Sequence, residues 1–365
     1  MRLNWHIFPV AALLLLQGCS VSEEEYMAFD DVTYVTSFKN SLELDKGKTV
    51  DLGLLGMLDI YIHNSLMYIS TQDKDGYVTV VSLPDLTSYG KFIKNGNGPI
   101  EATSAPFFSG AIISGTESGE RLIVKAGDKM LSLNAGTPFD PDNDAISVFK
   151  DNVSNMSFYS IQINDSTTMT RNVKWDRGGQ ERSLVINGNT QVVPSMEKLN
   201  RTEIPIKGDG YLFNVMSSFA GYDKTSGKVV EASININNIN VYSLSGDFEK
   251  TICYGKRLDN IAKICNSPNA NFTKNFTDLR LYDDFFAVAY SGRKEFADMT
   301  LVHPDTRIMF FNWDCTPLAE IRIPSKAGRF DIDFNNSCLY TLDSITDEII
   351  TYDIHDFLLK LKTAF

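Results

Sequence analysis

Three charged residues stand in similar strand-like runs far apart in the chain: Asp59 directly before Ile60, Arg280 before Leu281 and Asp331 before Ile332. Two carboxylates and a guanidinium brought to one place can grip a sugar, a peptide end or a metal ion. They can equally bond to one another or to channel water. Trp175, Trp313, Tyr282 and Tyr290 would add flat faces for stacking a carbohydrate, although aromatic side chains where sheets meet usually belong to the core.

The common catalytic signatures are missing. There is no G-x-S-x-G elbow, no H-E-x-x-H pair and no phosphate-cradling glycine loop. His63 falls at a hairpin turn, His303 precedes Pro304 and His355 lies near the C-terminus, so the three read as turn or surface residues. Asp140-Pro141-Asp142-Asn143-Asp144 alternates carboxylates as a calcium loop does, but Ala145 replaces the required glycine and no glutamate stands at the twelfth position. It reads as a solvated turn; no cofactor is expected, and calcium is the one weak candidate.

The elements that must position these residues are short strands. Apolar, β-branched and aromatic runs follow turns of Asp, Asn, Gly or Ser at 66–70, 122–125, 168–171, 212–215, 286–289 and 339–342. Taking Leu66, Leu122, Thr168, Leu212, Phe286 and Leu339 as anchors, the spacing suits four-stranded propeller blades of about 40–50 residues. Thr168 is the poorest match. The expected fold is all-β, a six-bladed β-propeller of four-stranded antiparallel blades. Period-two alternation predicts one buried and one wetter face per strand. The run 34–38 is expected to close the ring as an outer strand on the blade built from 307–354, and 356–362, with Phe357, Leu358 and Leu361, forms a helical turn or two. Propeller sites usually lie at a mouth of the central channel. Asp59, Arg280 and Asp331 are therefore the candidate mouth ligands.

The N-terminus carries Arg2, an apolar run 7–16 broken only by Pro9, then Gln17-Gly18-Cys19. That run is too short to span a bilayer, which takes about 20 residues. Leu15-Leu16-Gln17-Gly18-Cys19 resembles the lipobox of bacterial lipoproteins. This implies removal of residues 1–18 and acylation of Cys19, which would hold the protein to a membrane by lipid. Ser20 stands where an inner-membrane retention signal would have Asp, and Glu23-Glu24-Glu25 resembles a surface-export signal of Bacteroides-group lipoproteins. The expectation is an outer-membrane lipoprotein, on the cell surface ahead of the periplasmic face, with 19–32 an acidic tether and 33–365 one domain.

Removing Arg2 with the leader takes the net charge from −12 to −13. The basic residues are scattered singly or in pairs, so nucleic acid is not an expected partner. Of the four later cysteines, Cys253 and Cys265 are the better disulfide pair by spacing, with free thiols equally open.

Lys94-Asn95-Gly96-Asn97-Gly98-Pro99-Ile100-Glu101 resembles a glycine-proline-glutamate turn of the TolB-like six-bladed propeller lipoproteins of the Bacteroides group, except that Ile100 stands where that family usually has glycine. The final blade, with Leu339-Tyr340 and the run 350–354, fits the same resemblance. It implies a propeller and an envelope location, and carries over no catalytic residue. The expected function is a non-enzymatic binding or scaffold module, with an envelope protein or a glycan or peptide ligand as partner. The competing reading is a metal-assisted hydrolase or lyase with residues drawn from several blades.

Overall fold

A computed structural model describes residues 26–45, 47–116, 119–136, 138–141, 145–150, 157–174, 179–204, 215–265, 273–294 and 306–363. Six antiparallel sheets follow one another along the chain, and the first strands of neighbouring blades approach one another around a common axis. The fold is a six-bladed β-propeller.

Blade one runs Met57–His63, Leu66–Thr71, Val78–Ser82 and Ser88–Phe92 from the axis outward. Blades two and three begin with Ile112–Thr116 and Ser157–Asn164. Blade four comprises Ser218–Asp223, Lys228–Ser233, Asn238–Ser243 and Glu249–Tyr254. Blade five begins with Thr273–Leu281 and blade six with Arg329–Asp333. Leu66, Leu122, Thr168, Phe286 and Leu339 all fall in the second strand of a blade. Leu212 does not: the second strand of blade four is Lys228–Ser233, and Leu212 itself lies outside the described residues.

The alternation seen in the sequence understates the burial. Leu66–Thr71 and Asn238–Ser243 are buried at every position, because a middle strand of a blade is covered on both faces by the neighbouring blades. Apolar clusters fill the spaces between successive blades, with Tyr340 and Ile60 between six and one, Tyr68 and Leu122 between one and two, and Phe286 and Val241 between four and five. Each large side chain so buried contributes roughly 1.5–3 kcal/mol.

Ring closure differs from the expectation. The run around Tyr34 pairs with blade four, not blade six: Val32–Val35 lies parallel to Glu249–Tyr254. The chain then runs along the outer rim, placing Ser41–Glu43 parallel to Pro317–Ile323 of blade five. Only then does Lys48–Val50 pair antiparallel with Glu348–Asp353 as the fourth strand of blade six. One N-terminal strap thus covers three sheet edges that would otherwise present unpaired backbone groups. The folded part also starts earlier than residue 33. Met27 and Phe29, assigned from sequence to the tether, are 1% and 3% exposed and pack between blades three and four.

The turn at 94–101 fastens blade one to blade two. Lys129 Nζ donates to the carbonyls of Gly98 and, at 2.8 Å, Glu101, while the Gly98 N–H donates to Glu101 Oε2 at 2.7 Å. Neither Gly96 nor Gly98 has a positive φ. Space is the reason for glycine here: a Cβ on Gly96 would stand 2.0 Å from Glu101 Oε2. All four later cysteines are free thiols, including Cys253 and Cys265. Cys253 is buried within the outer strand of blade four, whereas Cys265 ends the short helix Ile261–Cys265, which packs on the cluster between blades two and four.

Candidate functional site

The three residues picked out from sequence converge at the axis. Arg280 Nη2 lies 2.6 Å from Asp59 Oδ1, and Arg280 Nε lies 3.8 Å from Asp331 Oδ2. A fourth member, Asp278, joins at 3.1 Å from Arg280 Nη2. Residues i and i+2 of a strand face the same way, so Asp278 and Arg280 both turn to the axis. Asp278 was missed because Arg280 was matched to Asp59 and Asp331. The signal was present: Asp278 precedes Leu279 just as Asp59 precedes Ile60 and Asp331 precedes Ile332.

The three aspartates share one geometry. Each accepts the N–H of its own successor and an N–H from the next segment around the ring. Asp278 takes Leu279 N at 2.9 Å and Phe330 N at 3.0 Å. Asp331 takes Ile332 N at 2.8 Å and Ile62 N at 2.7 Å. Asp59 takes Ile60 N at 2.9 Å and Phe108 N at 2.8 Å. Arg280 spends its other donors on the carbonyls of Phe330 at 2.9 Å, Ile60 at 2.8 Å and Leu279 at 3.2 Å. The group ties blades five, six, one and two together.

Above this layer opens a cavity of about 730 Å³. Arg280 and Asp331 reach its floor, while Asp59 lies beneath and lines none of it. Its walls are the inner-strand ends and first hairpins of blades one, two, four, five and six, with Leu358 and Leu361 of the C-terminal helix His355–Lys362. Tyr282 packs its ring on Phe285 and Phe334 at 4.9 and 5.2 Å between centroids, and its hydroxyl donates to Asp331 Oδ1 at 2.9 Å. Across the mouth, His63 Nε2 lies 2.9 Å from Glu120 Oε2, which also accepts from Asn64 Nδ2 at 2.6 Å. Among the described residues no group of three or more His, Cys, Asp or Glu side chains is placed to hold a metal ion.

No family model and no curated protein matches the sequence. Solved structures do. A member of the DUF4221 family from Bacteroides vulgatus aligns at 11% identity over 87% of this chain and 96% of its own, with a TM-score of 0.51. A Bacteroides fragilis protein described as exported aligns at 10% identity over 85% of this chain and 88% of its own, with a TM-score of 0.50. The chain is similar to both in fold.

Burial and charge compete at the axis. Desolvation pushes the Asp331 carboxyl up to about 6 and the Asp278 carboxyl up to about 7, in each case against the pull of the Arg280 cation. Asp59 adds like-charge repulsion on Asp278. Desolvation also raises the Tyr282 hydroxyl well above its ordinary value.

The remaining sequence candidates separate. Tyr290 is a core contact, 4.6 Å from Tyr254 and 5.8 Å from Phe276. Trp313 packs on Phe286 and donates its indole N–H to the Asp283 carbonyl at 2.9 Å, just behind the mouth. His355 begins the C-terminal helix, its ring 3.3 Å from Ser337 Oγ. Cys19, Asp142, Asp144, Trp175 and His303 lie outside the described residues.

A second buried ion cluster escaped sequence reasoning because Arg182, which precedes Ser183, does not repeat the charged-before-aliphatic pattern that marked the axis residues. Arg182 of blade three meets Glu231 of blade four through Nε–Oε1 and Nη2–Oε2 contacts of 2.8 Å each. Tyr242 donates to Glu231 Oε1 at 2.9 Å, and Arg182 Nη2 reaches Met27 Sδ at 3.3 Å. Burial pushes the Glu231 carboxyl up, but the attraction and hydrogen bonds of Arg182 outweigh it and hold the group at about 2.

Proposed function

We propose that this chain is an envelope lipoprotein of the TolB-like propeller kind, held to the outer membrane through Cys19, that binds a small glycan or peptide ligand at the channel mouth without transforming it. The observation that carries this reading is the cavity itself, which is walled by hairpins of five blades and floored by a charged layer. Binding sites of this size are concave and largely preformed, with a few polar groups fixing orientation. In this reading Arg280 and Asp331 supply the polar floor, and Asp59 holds Arg280 from below. The side chains of that floor already bond one another, so they form a fixed polar surface under the ligand rather than a proton-transfer pair. The lipobox supports the anchor, and the likeness to an exported Bacteroides protein is in keeping with an envelope location.

Two measurements test it. Mass spectrometry of the mature N-terminus should find an acylated Cys19, and Cys19→Ala should release the protein from membranes; a soluble, unmodified wild type would end the lipoprotein reading. Nuclear magnetic resonance titration with short glycans and peptides should shift signals of Tyr61, Tyr222 and Phe334. Shifts confined to the outer rim would end the mouth reading.

A further inference from the structure

The ligand's charge follows from which groups at the mouth are already spent. Arg280, the guanidinium at the floor, is committed to Asp59, Asp278 and three carbonyls, so an anion would find little there. Lys224 Nζ donates to the Ile113 carbonyl at 3.2 Å and Lys362 is exposed on the same lining, but these two lysines and Arg280 face six carboxylates there, Glu120, Asp223, Asp283, Asp284, Asp331 and Asp333. Among the acids, Asp333 is filled by Ser65, Asn335 and Asn336, and Asp223 caps its own turn through Ser226 N at 2.6 Å. Glu120 is shared by His63 and Asn64. Asp283 and Asp284 differ: both are exposed on the hairpin between Thr273–Leu281 and Phe285–Lys294, and both line the cavity. Beside them stands Phe334, a cavity-lining ring that is 45% exposed while backed by Tyr282 and Phe285. A negative rim next to an uncovered aromatic face attracts organic cations, through Coulomb attraction and the ring quadrupole together.

We propose that the mouth binds a cationic ligand: an ammonium group on an apolar or hydroxylated body, its charge at Asp283 and Asp284 and its body against Phe334. This rests on the mouth reading above. A peptide N-terminus and an amino sugar both carry that chemistry.

The test uses the intact, detergent-solubilised chain and Trp313 emission, since the Trp313 indole is bonded to Asp283. The probes are 2-phenylethylammonium, the similar-sized anion 3-phenylpropanoate and neutral maltose. The ammonium should bind, the anion should not, and added salt should weaken binding. Phe334→Leu should weaken the ammonium about two- to five-fold, the loss of one exposed cation–π contact. The double variant Asp283→Asn, Asp284→Asn should weaken it and remove the salt dependence. Glucosamine against a dipeptide with a free N-terminus then distinguishes the two sources. Equal binding of the anion, or unchanged ammonium affinity in both variants, overturns the proposal. Maltose binding with the ammonium silent also overturns it, yet leaves the mouth in use. Silence from all three probes at about 10 mM, a concentration that detects even contacts of only a few kcal/mol, overturns both readings.

Discussion

Replacing Arg280 by Met tests whether the axis layer works as a charge-compensated lock. Arg280 is 4% exposed and faces Asp59, Asp278 and Asp331 within 2.6, 3.1 and 3.8 Å. Methionine keeps much of the volume but removes the cation that touches all three. Breaking a buried ion pair by deleting one partner costs about 3–5 kcal/mol. Three carbonyls, those of Phe330, Ile60 and Leu279, lose their donor as well. The cost must depend on pH. Asp278 and Asp331 already have folded-state values of about 7 and about 6, above the ordinary carboxylate value of 3.8. A raised value means that their stabilising effect is complete below pH ~4 and is lost as pH rises through the folded-state value. Without Arg280 both values climb further, and each additional unit costs about 1.4 kcal/mol at alkaline pH. Urea unfolding followed by tryptophan emission should therefore show a larger deficit for Arg280→Met near pH ~8 than near pH ~5, by at least about 1 kcal/mol. A total loss under about 1 kcal/mol, or an equal deficit at both pH values, would refute this account of the layer.

Three further outcomes follow from the same structure. Gly96→Ala should cost no more than about 1 kcal/mol in chemical denaturation, the worth of the Gly98 N–H bond that the Glu101 carboxylate gives up as it swings aside, and the cost should vanish in a Glu101→Ala background, because the added Cβ meets that carboxylate rather than backbone. Phe29→Ala should lower stability by about 3–5 kcal/mol, although the residue looks like part of a tether in sequence. Glu231→Gln should cost about 3–5 kcal/mol near neutrality by leaving buried arginines uncompensated. Glu231 has a depressed value of about 2, so its contribution is present above the ordinary 4.5 and lost as pH falls towards 2. Calorimetry in that acid window should show a shallower decline for Glu231→Gln than for the wild type.

Strand chemistry was legible locally, and the ring followed from it: five of six anchors fell in second strands because turn-then-apolar runs depend on nearby residues. Blade four was misplaced because the run near Leu212 resembles a strand as well as Lys228–Ser233 does. The strap was misassigned for a different reason. Val32–Val35 looks alike whether it joins blade four or blade six, and pairing partners more than two hundred residues away leave no mark on its own composition. At the axis, two aspartates and the arginine were legible because an acid before an aliphatic residue recurs. Asp278 stayed hidden behind Arg280, two residues on and on the same face. The cavity's rim, Asp283, Asp284 and Phe334, reads in sequence as ordinary turn.

Apolar faces of similar composition can slide past one another, so a ring of six such faces needs something directional to fix each register. Every junction between blades has it. Asp278, Asp331 and Asp59 bond forward across the junctions from five round to two, and Asp347 adds a grip on Gly56 N and Met57 N at 2.9 and 2.7 Å. Lys150 Nζ meets Thr168 Oγ1 at 2.9 Å between two and three, and Arg182 meets Glu231 between three and four. Arg307 Nη1 donates to Tyr254 Oη at 2.7 Å between five and four. Single hydrogen bonds of this kind contribute only about 1 kcal/mol net, but a slipped register would leave each buried partner unsatisfied at greater cost. The polar residues of the interior therefore specify alignment, while the apolar ones supply most of the stability. The mouth stands apart from this scheme: Asp283, Asp284 and Phe334 lie at hairpin tips beyond the locked strands. Substitutions there should change what is bound without loosening the ring, which is the separation a binding site on a rigid scaffold requires.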